Sequence, residues 1–590
     1  MNLDIVIVLT VLLIMLVCLI KEVARPDIII FFSLAFLLLV GIVTPEEALR
    51  GFSNEGMLTV ALLFIVASAV HKAGLLNFWL QQLLGKGKST GGILARLLVP
   101  VSGMSAFLNN TPIVVMLMGD IRKWCQDKGV SPSKFLLPLS YASIFGGTMT
   151  LIGTSTNLVV HGLLLDYGFA GYSMFQLTIV GLPAGILGII YLSTIGHKLL
   201  PENKTLVQEL SKESRQYLAE MVVEDDSVIV GKTIEKAGLR NLTGLFLIEI
   251  IRNNERIMPV PYYETIHSGD RLIFTGLVST IVELENIRGL RLETGSDLSL
   301  EDLRNDNTQL IEAVVSHQSG MLNKSIKETN FRSKYDAAVV AIHRNNERIR
   351  GKLGEIVLKP GDTLLLLVGK DFKKRSANSN EFYFIMPKSK PNLADARKGK
   401  IAIATLIAMV VLASTGILSM FEAAILAVGL MIVTKCITPE DAKNSVQFSV
   451  LLVIASAFGI GIALQKSGAA DFLAGYIVQA SMLFGTVGLL IIIFIITAAF
   501  TEMITNNAAA VLMFPIGLSA AQQMNIEPLG VIITLTIAAS ASFITPIGYQ
   551  TNLIVYGPGG YRFTDYIKVG LPLTLLYMVV TVFIVSMIWG

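Results

Sequence analysis

The chain has 590 residues, 53% of them hydrophobic and 15% charged, with a mean hydropathy of +0.65. A soluble globular chain carries about 25% charge, so the composition excludes an ordinary soluble fold and points to an integral membrane protein. A net charge of +3 is too small to predict nucleic acid as a partner or strong attraction to anionic lipid.

Taken in order, the N-terminus "MNLDIVIVLTVLLIMLVCLIKE" has no basic residue before its apolar run and no small-residue cleavage site after it. It is expected to be a first span rather than a removable signal peptide. Further spans are predicted near 27–43, 57–72, 134–165 and 176–198, with the first at 3–22. Between the third and fourth lies an apolar segment, 90–118, that the stretch "SAFLNNTPIVVMLM" interrupts with Asn109, Asn110 and Thr111. It offers about 27 apolar residues where two passes need about 40, which predicts a re-entrant hairpin. Residues 200–400 read as soluble. There "GKTIEKAGLRN", "IIRNNERI" and "IHSGDRLIFTG" return as "NKSIKETNFRS", "AIHRNNERI" and "LKPGDTLLLLVG". This predicts two copies of one small α+β domain, 205–296 and 297–385, each with a hairpin at the Asn-Asn turn and a further strand after Gly-Asp. The second membrane portion, 398–590, repeats the first, with spans near 400–417, 420–435, 448–465, 528–556 and 570–589 and a hairpin near 482–518.

Four landmarks tie the membrane portion 1–199 to 398–590. "TPEEALRGF" at Thr44 recurs as "TPEDAKNSV" at Thr438, and "SAFLNNT" at Ser105 as "TEMITNN" at Thr501. "GTSTNLVVHG" matches "GYQTNLIVYG", aligning Asn157 with Asn552, and "VGLP" recurs at Pro183 and Pro572. The offsets, 394, 396, 395 and 389 residues, are nearly constant. Basic residues such as Lys21, Arg25, Arg122, Lys123, Lys134 and Lys198 fall on the same side of this scheme as Arg397, Lys398, Lys435, Lys443, Arg562 and Lys568. That side is expected to be the cytoplasm, placing both termini outside and the soluble domains inside. Five spans per repeat is odd, so the second repeat is expected to be inverted. The predicted fold is an α-helical polytopic membrane protein with two inverted five-span repeats, each with a re-entrant hairpin, separated by two small cytoplasmic α+β domains. Inverted repeats with hairpins characterise transporters.

Asparagine in a membrane helix can serve as interhelical glue. Recurrence at the same point of both repeats, each time followed about 45 residues later by a second polar break, shifts the reading to binding. A helix broken at mid-membrane presents backbone N–H groups suited to an anion, while carbonyl, hydroxyl and amide oxygens suit Na⁺. No charge lies between Arg96 and Asp120 or between Lys134 and Asp166, so an anion would be held by dipoles and amides. Glu502, the only charged residue between Asp471 and Glu527, is either functional or a tie to a neighbouring helix; its repeat counterpart is Ala106. The cysteines Cys18, Cys125 and Cys436 are isolated and read as inert. "GIGIA" near Gly459 and "GPGG" at Gly557 read as close packing and a turn, His161 as a satisfied histidine and the "RNNER" turns as solvated hairpin tips. No nucleophile, catalytic dyad or metal cluster stands out, and no enzyme is expected.

"SAFLNNT", "TEMITNN" and the two Thr-Asn breaks resemble the paired Ser-Asn-Thr signatures of the divalent anion/sodium symporters. The soluble insert is similar to tandem RCK C-terminal domains, and the combination is most like bacterial and algal sulfate permeases. The resemblance implies a homodimer working by an elevator-type movement, with no cofactor and Na⁺ as the coupling ion. It implies one Na⁺ site from Ser105, Asn110, Gly153, Thr154 and Asn157, and a second from Thr501, Asn506, Thr545, Gly548 and Asn552. The substrate would contact Asn109, Asn110, Thr111, Thr505, Asn506 and Asn507. The signature's Ser and Thr are partly replaced, at Asn109, Thr505 and Asn507, and the dicarboxylate members' "GTPPN" reads "GTSTN". These changes favour a small inorganic oxyanion. The expectation is Na⁺-coupled uptake of a divalent anion, sulfate first, across the cell membrane, with an unknown small ligand at the cytoplasmic domains. Dicarboxylate, arsenite or another oxyanion, H⁺ coupling, and an RCK-regulated potassium channel or uptake protein stand as alternatives; no TVGYG-like filter is present.

Overall fold

Thr44 and Thr438, which open the recurring Thr-Pro segments, each cap a short helix. The Thr44 hydroxyl accepts from Glu47 N at 3.3 Å and the Thr438 hydroxyl from Asp441 N at 3.1 Å. Proline follows both, at the position where a helix does not use its N–H. The structure, a computed structural model, describes residues 2–21, 23–72, 89–202, 218–239, 245–253, 255–257, 260–261, 263–276, 289–292, 309–316, 319–344, 347–349, 353–368, 371–376, 381–385 and 396–590. Lys86, Lys88, Lys388 and Lys390, which belong to the expected cytoplasmic side, lie outside the described residues, as do Asn254, Asn345, Asn346 and the expected domain boundary at 296–297.

The apolar runs form helices. Among the described residues five are long and apolar enough to cross a membrane, Pro45–Val70, Thr178–Leu199, Phe448–Ser467, Gly485–Met503 and Phe563–Trp589. Shorter apolar helices include Leu3–Leu19, Pro26–Leu39, Met420–Val433 and Pro528–Ser540. The segments 134–165 and 528–556 are each two helices. Ser133–Gly147 and Ser155–Asp166 are parted by a break at 148–154, and Pro528–Ser540 and Gln550–Tyr556 by one at 541–549.

Both asparagine motifs lie where one helix stops and another starts. Thr90–Ser105 gives way to Asn110–Lys128, and Gly485–Met503 to Asn506–Gln523. The first hairpin therefore runs beyond the expected 118 to Lys128, and the second beyond 518 to Gln523. Apolar length marks the depth of a span, and a helix continues through polar residues once it has left that layer. A further helix, Ala469–Ser481, precedes the second hairpin and was not expected.

The soluble insert holds two sheets built alike. The first contains β1 (Leu218–Val223), β2 (Leu245–Arg252), β3 (Glu255–Ile257), β4 (Arg271–Gly276) and β5 (Leu290–Leu292) in the order β3-β2-β4-β1-β5. The second contains β6 (Gln309–Val315), β7 (Ala337–Arg344), β8 (Glu347–Arg348), β9 (Thr363–Val368) and β10 (Phe382–Ile385) in the order β10-β6-β9-β7-β8, the same order read from the other edge. Each buries one apolar face, with Ile250, Leu272 and Phe274 in one core and Ile342, Leu364 and Leu366 in the other. The arginine before each Asn-Asn turn bridges to the aspartate of Gly-Asp. Arg252 donates to both carboxylate oxygens of Asp270 at 2.8 Å, and Arg344 to both of Asp362 at 2.7 Å. Burial pushes the Glu249 carboxyl above its ordinary range, against the opposing pull of Arg256.

The second sheet sits directly on the membrane helices. Arg122, near the end of the first hairpin, pairs with Glu312 of β6 at 2.8 Å, both side chains largely buried. Gly557, in the "GPGG" turn, lies so close to β9 that a Cβ there would overlap Thr363 Oγ1.

Candidate functional site

Among the described residues three helices of a dozen residues or more begin at the centre of the membrane portion: Asn110–Lys128, Ser155–Asp166 and Asn506–Gln523. The short helix Gln550–Tyr556 begins there too. Their first turns meet in crosswise pairs. Thr111 Oγ1 donates to Gln550 Oε1 at 3.0 Å. Ser155 Oγ and Thr156 Oγ1 donate to Asn507 Oδ1 at 3.2 and 2.9 Å. Thr111 and Asn507 are repeat counterparts, 396 residues apart, and so are Ser155 and Gln550, 395 apart. Each hairpin tip thus bonds to the break of the other repeat. Helix N-termini carry a partial positive charge, and their unpaired N–H groups favour anions, so the centre attracts negative charge without a fixed cation.

The breaks share a hydrogen-bond pattern. Asn157 Nδ2 donates to Gly147 O at 2.9 Å and Thr150 O at 2.7 Å; Asn552 Nδ2 donates to Ser542 O at 2.9 Å and Thr545 O at 3.2 Å. Each amide closes a loop onto carbonyls ten and seven residues back. The acceptor ends differ. Asn552 Oδ1 accepts from Ser140 Oγ at 2.7 Å, whereas Asn157 Oδ1 is buried with no hydrogen-bond partner among the described residues.

Around the first break oxygens gather. One end of the Asn110 amide lies 2.6 Å from Ser105 Oγ, 3.0 Å from Ser143 O and 3.3 Å from Gly153 O, and its other end 2.6 Å from Tyr549 Oη. A Cβ on Gly153 would fall 2.7 Å from Gly147 O and 3.0 Å from Gly146 O, so the loop is cradled against carbonyls. Ser105, Asn110, Gly153, Thr154 and Asn157 come together here, all four polar side chains buried. Such an oxygen set fits Na⁺.

The second cluster has a different character. Thr501 Oγ1 donates to Ala539 O at 2.7 Å. Glu502 Oε1 accepts from Ile544 N at 2.8 Å, and Oε2 from Thr545 N at 2.9 Å and Thr545 Oγ1 at 2.6 Å. A Cβ on Gly548 would lie 2.7 Å from Thr501 O and 2.9 Å from Glu502 Oε2. Thr501, Thr545, Gly548 and Asn552 therefore gather around a carboxylate that the first cluster lacks. Asn506 is half-buried at the first position of its helix and, among the described residues, makes none of the bonds that tie Asn110 into its cluster. Thr505 caps that helix, accepting from Ala508 N at 3.4 Å. Asn109 lines a cavity with Phe107, Thr154, Ser155, Phe64 and Leu406. His161 Nδ1 accepts from Tyr172 N at 2.9 Å, a histidine in use by a loop.

Tyr549, Gln550 and Ser155 lie within the expected loops Gly153–Asn157 and Thr545–Asn552, but none of them was singled out by name. One signal was available: at the repeat offset Tyr549 aligns with Thr154 and Gln550 with Ser155.

The profile of the citrate transporter family matches residues 11–538. The chain belongs to the citrate transporter family. A putative sulfur deprivation response regulator of Chlamydomonas reinhardtii is 35% identical, over 95% of this chain and 98% of its own. Sodium/sulfate cotransporter 1 of the same alga is 25% identical over 95% of this chain and 87% of its own. The Na⁺/citrate cotransporter of Rattus norvegicus is 28% identical over 25% of this chain and 26% of its own. This member of the citrate transporter family is a multi-pass membrane transporter and not an enzyme, and the relatives named as cotransporters pair sodium with sulfate or citrate.

Proposed function

We propose that this transporter is a Na⁺-coupled symporter of a small divalent oxyanion, sulfate before dicarboxylates. The observation that carries the reading is the crosswise pairing of hairpin tips and breaks. It brings helix N-termini from both repeats to one centre that has no arginine or lysine among the described residues. The anion would lie between Asn109, Asn110, Thr111, Thr505, Asn506 and Asn507. One Na⁺ would use Ser105, Asn110 and the Gly153–Asn157 loop. A second would use Thr501, Asn506 and the Thr545–Asn552 loop, with the Glu502 charge beside it. Sodium and sulfate in the names of relatives support ion and substrate. In the same reading the two membrane portions are inverted repeats of a homodimer, one part moving past the other by an elevator-type step. The termini are outside, and residues 200–398, with two RCK C-terminal-like domains, are cytoplasmic and bind a regulatory ligand.

Labelled sulfate uptake into proteoliposomes tests this. Uptake driven by an inward Na⁺ gradient is expected, with none when K⁺ replaces Na⁺, and Asn110→Ala or Asn506→Ala is expected to abolish it without loss of folded protein. Equal uptake in K⁺ would reject sodium coupling, and no sulfate uptake in any cation would reject the substrate. A second reading, H⁺ in place of one Na⁺, is favoured by Glu502 alone; sulfate uptake driven by a pH gradient without Na⁺ would establish it.

A further inference from the structure

Tyr549 occupies the repeat position of Thr154, yet its hydroxyl leaves its own repeat. Tyr549 Oη lies 2.6 Å from the Asn110 amide and 3.0 Å from Thr154 Oγ1, both in the first repeat. The other end of that amide faces Ser105 Oγ, Ser143 O and Gly153 O. An amide has one donating and one accepting end, and a tyrosine hydroxyl has one proton. The three groups therefore form a chain with two consistent settings. With the Asn110 nitrogen toward the three oxygens, its oxygen accepts from Tyr549, and Tyr549 in turn accepts from Thr154. A cation among those oxygens requires the Asn110 oxygen to face it. The nitrogen then donates to Tyr549, Tyr549 donates to Thr154, and the Thr154 proton is released. Thr154 lines the cavity that Asn109 and Ser155 also line, so the released proton is available to an anion there.

We propose that Tyr549 is the positioning residue that couples the cation to the anion: a cation in the first oxygen set turns the Asn110 amide, reverses the Tyr549 hydroxyl and frees Thr154 to donate to the substrate. The inference rests on the cation reading of the previous section. It explains why the break of the second repeat carries a phenol where the first carries a threonine. The hydroxyl has to reach across to another repeat's amide, and a threonine is too short.

The test uses purified full-length transporter and thermal stability in Na⁺ alone, sulfate alone and both, since a ligand of the folded state raises its apparent stability. In wild-type protein Na⁺ is expected to tighten sulfate binding by about tenfold or more, within the usual range of coupling between sites. Tyr549→Phe is expected to keep the stabilisation by Na⁺ alone while the ratio of sulfate affinities with and without Na⁺ falls to about 1. Thr154→Val is expected to show the same loss of ratio while keeping the stabilisation by Na⁺ alone, since in this arrangement the Thr154 hydroxyl serves the anion and not the cation. Thr154→Ser is expected to restore the ratio. This pair decides the matter if Tyr549→Phe does not fold, and loss of the Na⁺ shift in Thr154→Val overturns the proposal. A wild-type ratio in Tyr549→Phe or in Thr154→Val overturns the proposal. So does loss of the Na⁺ shift itself in Tyr549→Phe, which would make Tyr549 a structural prop. If wild-type protein shows no effect of Na⁺, the cation reading has failed, and this inference falls with it.

Discussion

Asn157 and Asn552 make the same two backbone bonds and differ at one atom. A buried carbonyl left without its donor costs about 1–3 kcal/mol, so replacing either residue by alanine is expected to lower the melting temperature. The loss should be larger for Asn552→Ala, which also removes one of the two partners of the Ser140 hydroxyl and leaves it Thr551 Oγ1 at 2.8 Å. The response to Na⁺ should run the other way. Among the described residues Asn157 Oδ1 is buried without a partner, a costly condition unless a donor or a cation uses it. Asn157→Ala is expected to lose the part of the Na⁺-induced rise in melting temperature that the first site contributes, while Asn552→Ala, whose Oδ1 is already taken by Ser140, keeps that part from a lower baseline. A thermal titration of both variants checks this, and a full Na⁺ response in Asn157→Ala would remove that oxygen from the cation set. Both asparagines stood out in the sequence because they recur. Their difference did not, because the partner of Asn552 is Ser140, 412 residues away and outside any motif.

At the scale of elements the breaks and tips act as two halves of one joint. Hydrogen-bonded partners show interaction energies of about 0.5–3 kcal/mol in double-mutant cycles. Thr111→Val and Gln550→Leu are therefore expected to be non-additive in sulfate uptake, the double variant being about twofold or more better than the product of the singles. Additive effects would mean that the 3.0 Å contact carries no coupling during transport. Much at this scale was legible. The interruption of apolar runs by "NNT" and "TNN" located both tips, and "GTSTN" and "GYQTN" located both breaks, because a polar run inside a span has few structural uses. The crosswise partnership was hidden, since a repeat offset aligns Thr111 with Asn507 and says nothing of which loop each one meets. The helix ends differ from the expected ones for a related reason. Hydropathy falls at the edge of the membrane, whereas the backbone of Asn110–Lys128 has no cause to unwind there.

At the scale of the whole molecule, the two sheets are copies that have diverged where one of them docks. In the first sheet Glu220 pairs with Arg271 inside its own domain. At the same spacing of 92 residues the second sheet has Glu312, but Thr363 stands where Arg271 would. The membrane portion supplies the missing cation, Arg122 at 2.8 Å, and Gly557 fits against the smaller threonine. The substitution of threonine for arginine, together with a glycine turn in the other partner, was visible in the sequence. Its meaning depended on a contact between segments far apart in the chain. Removing one member of a buried pair leaves the other uncompensated, at a cost of about 3–5 kcal/mol, while replacing both by apolar residues is often neutral. Glu312→Met or Arg122→Met alone is expected to lower the stability of the full-length protein by several degrees and to loosen the second domain from the hairpin. Arg122→Met with Glu312→Met is expected to recover most of that loss. Melting temperature and proteolysis between the second domain and residue 398 measure the two effects. If the double variant is no more stable than the worse single one, the pair is not what seats this domain, and the seat must lie in the packing of Gly557 against Thr363.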